Sequence, residues 1–182
     1  MYDYVTLKQQ DRIIKWNIDR GLTELNCDLE IRLLTEERRE FWLAQTFEHK
    51  LQEFCDFLFV SSGTMFKINA HSVATMPLAQ SIQENIELLI SSTTRYYSMI
   101  DLLKFYLAED IKKKKHSYAL LRKYNDLTDA LKILVKETLD IIINTNNKKP
   151  KTKDSKGKII KGDDHIDPLI KIKEMLYGSE DS

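Results

Sequence analysis

Apolar residues recur at three- and four-residue intervals along most of this chain, the spacing that gathers side chains on one face of a helix. A first helix is predicted from about Leu7 to Arg20, stopped by Gly21, and a second from about Asp28 to Gln45. Thr46 is suited to cap a third that runs to about Ser61. A fourth, from about Leu78 to Leu107, carries Ile82, Ile86, Leu89 and Ile90, then Tyr96, Tyr97, Ile100, Leu103 and Leu107. The fifth, from about Tyr118 to Ile143, repeats the stripe through Leu127, Ala130, Leu131, Leu134, Val135, Leu139 and Ile142. Stripes of this kind are core or interface. Beyond Asn144 the composition turns to lysine, aspartate and glycine, which predicts a loop or tail before a last amphipathic piece, Leu169 to Tyr177. Between Thr64 and Lys149 there is no glycine and Pro77 is the only proline, so the expected fold is an all-α helical bundle and not a turn-rich β fold.

The pattern breaks where acids enter apolar faces. On the second helix Leu29, Leu33, Glu37, Glu40 and Ala44 form one stripe, apolar at both ends and acidic in the middle. On the third, His49, Glu53, Asp56 and Val60 align, and Asp56 sits within Phe54-Cys55-Asp56-Phe57-Leu58-Phe59-Val60. An unpaired carboxylate there costs several kcal/mol in desolvation. Either protein cations or a metal must compensate Glu37, Glu40, Glu53 and Asp56, and such hard oxygen donors suit Mg²⁺ or Mn²⁺ rather than zinc. For Glu36 to Glu40 alone, a solvated helix face salted with Arg38 and Arg39 accounts equally well for the charges.

Glu36-Glu37-x-x-Glu40, twelve residues, then Glu53-x-x-Asp56 resembles the signature of the all-α nucleoside triphosphate pyrophosphohydrolases, the MazG-like group that includes phosphoribosyl-ATP pyrophosphohydrolases and dimeric dUTPases. Gly63-Thr64-Met65 is similar to the Gly-Thr-Ala that closes the same helix in that group. Thr145-Asn146-Asn147-Lys148-Lys149 resembles the Ser-Asn-Met-Ser-Lys of phage-type members, and Gly157-Lys158-Ile159-Ile160-Lys161-Gly162 with Pro168 resembles their glycine and lysine tail. Residues 66–125 have no counterpart in the family core and are expected to be a helical insertion within a single domain, 1–182.

The resemblance implies Mg²⁺-dependent hydrolysis of a nucleoside triphosphate, deoxynucleotides included, between the α and β phosphates to a monophosphate and pyrophosphate. It implies metal ligation by Glu37, Glu40, Glu53 and Asp56, with Glu36 accepting a proton from the attacking water or holding that water. Residues 146–168 would cover the substrate, with Asn146, Lys149 and Lys161 on the phosphates. Trp16, Asn17 and Arg20 resemble the position where family members wall the base, with Trp42 as an alternative. MazG-like bundles complete themselves with further copies, so a homodimer or homotetramer is expected.

Composition narrows the rest. At 182 residues, 42% hydrophobic and 31% charged, the chain supports one substantial core. Its net charge of zero gives no global pull toward nucleic acid or an anionic membrane. No apolar run nears the roughly 18–20 residues that span a bilayer, and Met1-Tyr2-Asp3-Tyr4 does not look like a signal peptide, so the expectation is a cytoplasmic protein. Cys27 and Cys55 are expected to stay reduced. None of His49, His71, His116 and His165 completes a Glu-x-x-His pair, which argues against a di-iron bundle, and phosphate-loop and nucleophile-elbow motifs are missing. Seven lysines against the single Asp154 between Lys148 and Lys161 suit polyphosphate, whereas Lys112 to Lys115 beside His116 receive no role. The competing class is a non-enzymatic helical interaction protein whose acids merely pair with lysines and arginines and whose basic tail binds nucleic acid or a partner protein.

Overall fold

The structure, a computed structural model, describes residues 3–71, 77–91, 98–113, 126–162 and 165–178. Seven helices are present among them, and no strand. Helix α1 (Leu7–Asp19) opens on a reciprocal cap in which Thr6 and Gln9 satisfy each other's backbone N–H, and the chain leaves it through Gly21 at φ +64°. Helix α2 (Cys27–Leu43) is capped by Asn26, and α3 (Phe47–Ala70) by Thr46, whose hydroxyl accepts from His49 N at 3.3 Å. Thr46→Ala is expected to cost about 1 kcal/mol, lowering the melting temperature in thermal denaturation by roughly 2–4 °C.

Helix α3 departs from expectation. It does not stop near Ser61 but runs on through Gly63 to Ala70. A mid-helix glycine costs about 1 kcal/mol relative to alanine, less than the burial it permits: α3 packs against six other helices, and Ser61, Ser62, Gly63, Thr64, Lys67 and Ile68 are all buried. The expected long fourth helix is two. Helix α4 spans Pro77–Ser91 and α5 spans Met99–Lys113, with a fresh start made by Ser98 and Asp101, each bonding the other's backbone N–H. Tyr96 and Tyr97 lie outside the described residues, as do 118–125; the expected fifth helix is described as α6 (Leu127–Asn147), capped by Asp126 and extending one turn past Ile143. Helix α7 (Pro168–Tyr177) begins with proline in its first turn behind the Asp167 cap.

One contiguous apolar cluster joins all seven helices, with Phe41, Phe47, Phe54, Phe57 and Leu58 at its centre around α3. Lys50 is 1% exposed; its ammonium donates to the carbonyl of Phe41 at 2.8 Å and lies between the Phe41 and Tyr106 rings, so a charge in the core ends α2 by bonding its last carbonyls. The basic segment after α6 forms a turned ribbon. Lys153 and Ile159 pair antiparallel, Asp154 accepts from the backbone of Lys156 and Lys158, and Gly157 turns the chain at φ +84°. Lys153 and Lys158 tie this ribbon to the Gly21 carbonyl and to Glu36. No helix among the described residues is long and apolar enough to cross a membrane.

Candidate active site

Helices α2 and α3 are joined by only three residues, and their facing surfaces carry the acids. Carboxylate oxygens of Glu37 and Glu40 from α2 and Glu53 from α3 lie within 4.8 Å of one another. Asp56, one turn beyond Glu53, lines the same cavity of about 260 Å³. Glu53 is buried, Glu37 and Asp56 half-buried, and Glu40 exposed at the mouth. Like charges crowded in a poorly solvated place resist ionisation. Burial first, then the charges of Asp56, Glu40 and Glu53, push Glu37 up to about 9. Burial, Asp56 and Glu40 push Glu53 to about 8, with His49 Nε2 at 2.9 Å from its Oε1. Asp56 rises to about 7, chiefly through burial, with Lys149 pulling the other way.

Lysines face these acids across the cavity. Lys149, Lys158 and Lys161 line it together with Asn146. Burial holds the Lys149 ammonium below the usual lysine range despite Asp56 nearby. Asn146 is 5% exposed, and its side-chain amide bonds to no described residue. Glu36 stands at the rim and not over the acids' centre; Lys158 Nζ is bonded to its Oε1 at 2.7 Å, and both side chains are nearly half exposed. The carboxylate expected to hold a water is therefore held by a lysine in this state.

A second cavity of about 110 Å³ adjoins the first, sharing Glu37, Asp56, Asn146, Lys149 and Lys158 with it. Trp16 and Phe59 make its aromatic wall, packed edge to face at 5.0 Å, and Trp16 Nε1 donates to the Asn146 carbonyl at 2.9 Å. Asn17 is 3% exposed; its Nδ2 donates to the Ile13 carbonyl, and its Oδ1 has no partner among the described residues. The Asn17 amide can lie where it does because residue 63 is glycine: a Cβ there would stand 3.0 Å from Asn17 Nδ2. Gly63→Ala gains about 1 kcal/mol of helix propensity and loses roughly 1–3 kcal/mol by overpacking. The expected result is a melting temperature within a few degrees of the parent and a displaced Asn17, seen as altered ligand affinity in titration calorimetry.

Trp16, Asn17, Asn146, Lys149 and Lys161 thus line the two cavities, as do all four predicted metal ligands and Glu36. Arg20 does not. Its guanidinium lies 4.5 Å from the Trp16 ring centre and donates to the carbonyls of Asn146, Asn147 and Lys149, closing the C-terminus of α6; it backs the aromatic wall and lines neither cavity. Trp42 is 41% exposed and also lines neither. Sequence reasoning missed Lys158, His49 as the partner of Glu53, and two charged residues that line the second cavity. There Glu30 and Lys67 form an ion pair at 2.5 Å, with Thr64 Oγ1 donating to Glu30. A signal existed: Glu30 lies two turns before Glu37 and Lys67 three turns after Asp56, each on the acid-bearing face of its helix. No protein-family model, curated protein or solved structure matches the chain.

Proposed function

We propose that this chain hydrolyses a nucleoside triphosphate to the monophosphate and pyrophosphate with Mg²⁺, or Mn²⁺ in its place, in the manner of the MazG-like pyrophosphohydrolases that its acidic motifs resemble. The supporting observation is the convergence of Glu37, Glu40 and Glu53 within 4.8 Å, opposite three lysines and beside an aromatic-walled pocket. The donor set fits a hard divalent cation: all oxygens, from two packed helices, with proton affinities raised first by burial and then by mutual repulsion, which a dication would relieve. Glu37, Glu40, Glu53 and Asp56 would hold it. Bound there, it supplies charge neutralisation at the phosphates and a lowered pKa for water.

The chain's own residues divide the remaining work. Lys149 and Lys161 neutralise phosphate oxygens remote from the acids, and Asn146 donates its free amide N–H to them. Trp16 and Asn17 receive the base in the second cavity. Glu36, once Lys158 turns to phosphate, is free to hold or deprotonate water at the rim.

Incubation with ribo- and deoxyribonucleoside triphosphates and Mg²⁺ is expected to yield pyrophosphate and monophosphate in equal amounts, and nothing in excess chelator. Orthophosphate as the product, or no turnover of any triphosphate, overturns the reading.

A further inference from the structure

We propose that the buried Glu30–Lys67 pair, steadied by Thr64, selects the nucleobase, reading the hydrogen-bonding edge of a ring that lies against Trp16 and Phe59 in the second cavity. This rests on the nucleotide reading above but concerns residues to which the acidic motifs assign nothing.

An ion pair with side chains 6% and 2% exposed is an expensive way to join two helices, because a well-packed apolar pair of similar volume is often as stable or more so. Its placement gives a reason for keeping it. Both residues line the second cavity and neither lines the first, where the acids face the lysines. Among the described residues Lys67 Nζ bonds to Glu30 alone, so donor capacity remains on the ammonium. Glu30 receives Lys67 on one oxygen and Thr64 on the other, which fixes the carboxylate and leaves each oxygen with further acceptor capacity. Asn17 adds an acceptor, Oδ1, with no partner among the described residues, on a side chain held in place by the bond from Nδ2 to the Ile13 carbonyl and by contact with Gly63.

Donors and acceptors therefore meet in a slot whose side wall is aromatic. A planar heteroaromatic ring with both kinds of group on its edge satisfies them, and an apolar ring would leave their remaining donor and acceptor capacity unmet. Sites of this kind discriminate strongly, because the wrong edge leaves polar groups unpaired in a desolvated place. Lys149 and Lys158, shared by both cavities, mark where the base-bearing end of the ligand gives way to its phosphates.

The test uses the full chain with Trp42→Phe, which leaves Trp16 as its only tryptophan. Nucleoside 5′-monophosphates of the four bases are titrated in excess EDTA, with Trp16 fluorescence as the readout. One base is expected to bind at least tenfold more tightly than the poorest. In Glu30→Gln/Lys67→Met, which removes both charges together, that preference is expected to fall to within threefold while affinity for ribose 5-phosphate stays unchanged. Thr64→Val removes only the hydroxyl donated to Glu30 and is expected to lower the preference severalfold in a folded protein even if the double variant does not fold. Equal binding of all four bases by the parent, or a preference that survives Thr64→Val and the folded double variant, overturns the proposal. Base preference without pyrophosphate release from any triphosphate would refute the hydrolytic reading alone.

Discussion

Asparagine at position 56 is expected to cut Mg²⁺-dependent pyrophosphate release by about 10²–10³-fold while making the metal-free protein more stable. Both effects come from one arrangement. Asp56 sits at the junction of the two cavities, with Glu37 and Glu40 on the facing helix and Lys149 above it. As a ligand its anionic oxygen is what counts, and an amide of the same shape does not supply it. As a buried group its charge is a burden, since burial and neighbouring carboxylates raise its pKa to about 7. Each unit of that rise corresponds to about 1.4 kcal/mol of preference for the neutral form, so the neutral amide is expected to raise the melting temperature at pH 8 in chelator by several degrees. Unchanged turnover in Asp56→Asn would remove this residue from the site; a large fall in both turnover and stability would mean that its charge holds the fold together.

The same crowding fixes a pH dependence. Glu37, Glu53 and Asp56 have folded-state values of about 9, 8 and 7, all above their ordinary carboxylate values. The folded protein therefore binds more protons than the unfolded chain between roughly pH 4.5 and 9, and stability must fall as pH rises through that window. Lys149, held below the usual lysine value, opposes the trend only at its alkaline end. Asp19 and Asp154, whose values are lowered, act only in acid, where their contribution is lost as pH falls. Thermal unfolding in EDTA is expected to give melting temperatures that decline from pH 5 to pH 9. Adding Mg²⁺ is expected to reverse the decline and to stabilise more at pH 8 than at pH 6, because ligation requires the ionised acids and releases their protons. A flat EDTA profile, or an Mg²⁺ effect that shrinks with rising pH, would show that these carboxylates do not form the coupled cluster.

The all-helical fold was legible because 3.6-residue periodicity and sparse glycine and proline act locally, before any tertiary contact forms. Where tertiary burial competed with local signals, the reading failed. Gly63 looks like a helix end, but α3 continues because its small residues let other helices approach. The Leu78–Leu107 stripe looks continuous, yet Ser98 and Asp101 begin a new helix within it. At the site, Glu37, Glu40, Glu53 and Asp56 were recognisable as charges interrupting apolar faces, a one-dimensional anomaly. Glu30 and Lys67 are 37 residues apart and satisfy each other only in three dimensions. The partners chosen by Arg20 and Glu36, helix-end carbonyls and a ribbon lysine, are likewise products of folding that residue type alone does not announce.

Helix α3 acts as a ruler. Asp56 and Gly63 are seven residues apart on one helix, close to two turns, so the acid and the cavity-lining glycine look the same way at a spacing of about 10 Å, set by the helical rise. Lengthening that interval by one residue would swing one end about 100° away from the other, pointing each half-site at a different neighbour while most of the bundle could still assemble. Register along a single helix, more than the identity of any one side chain, is what keeps the two cavities side by side.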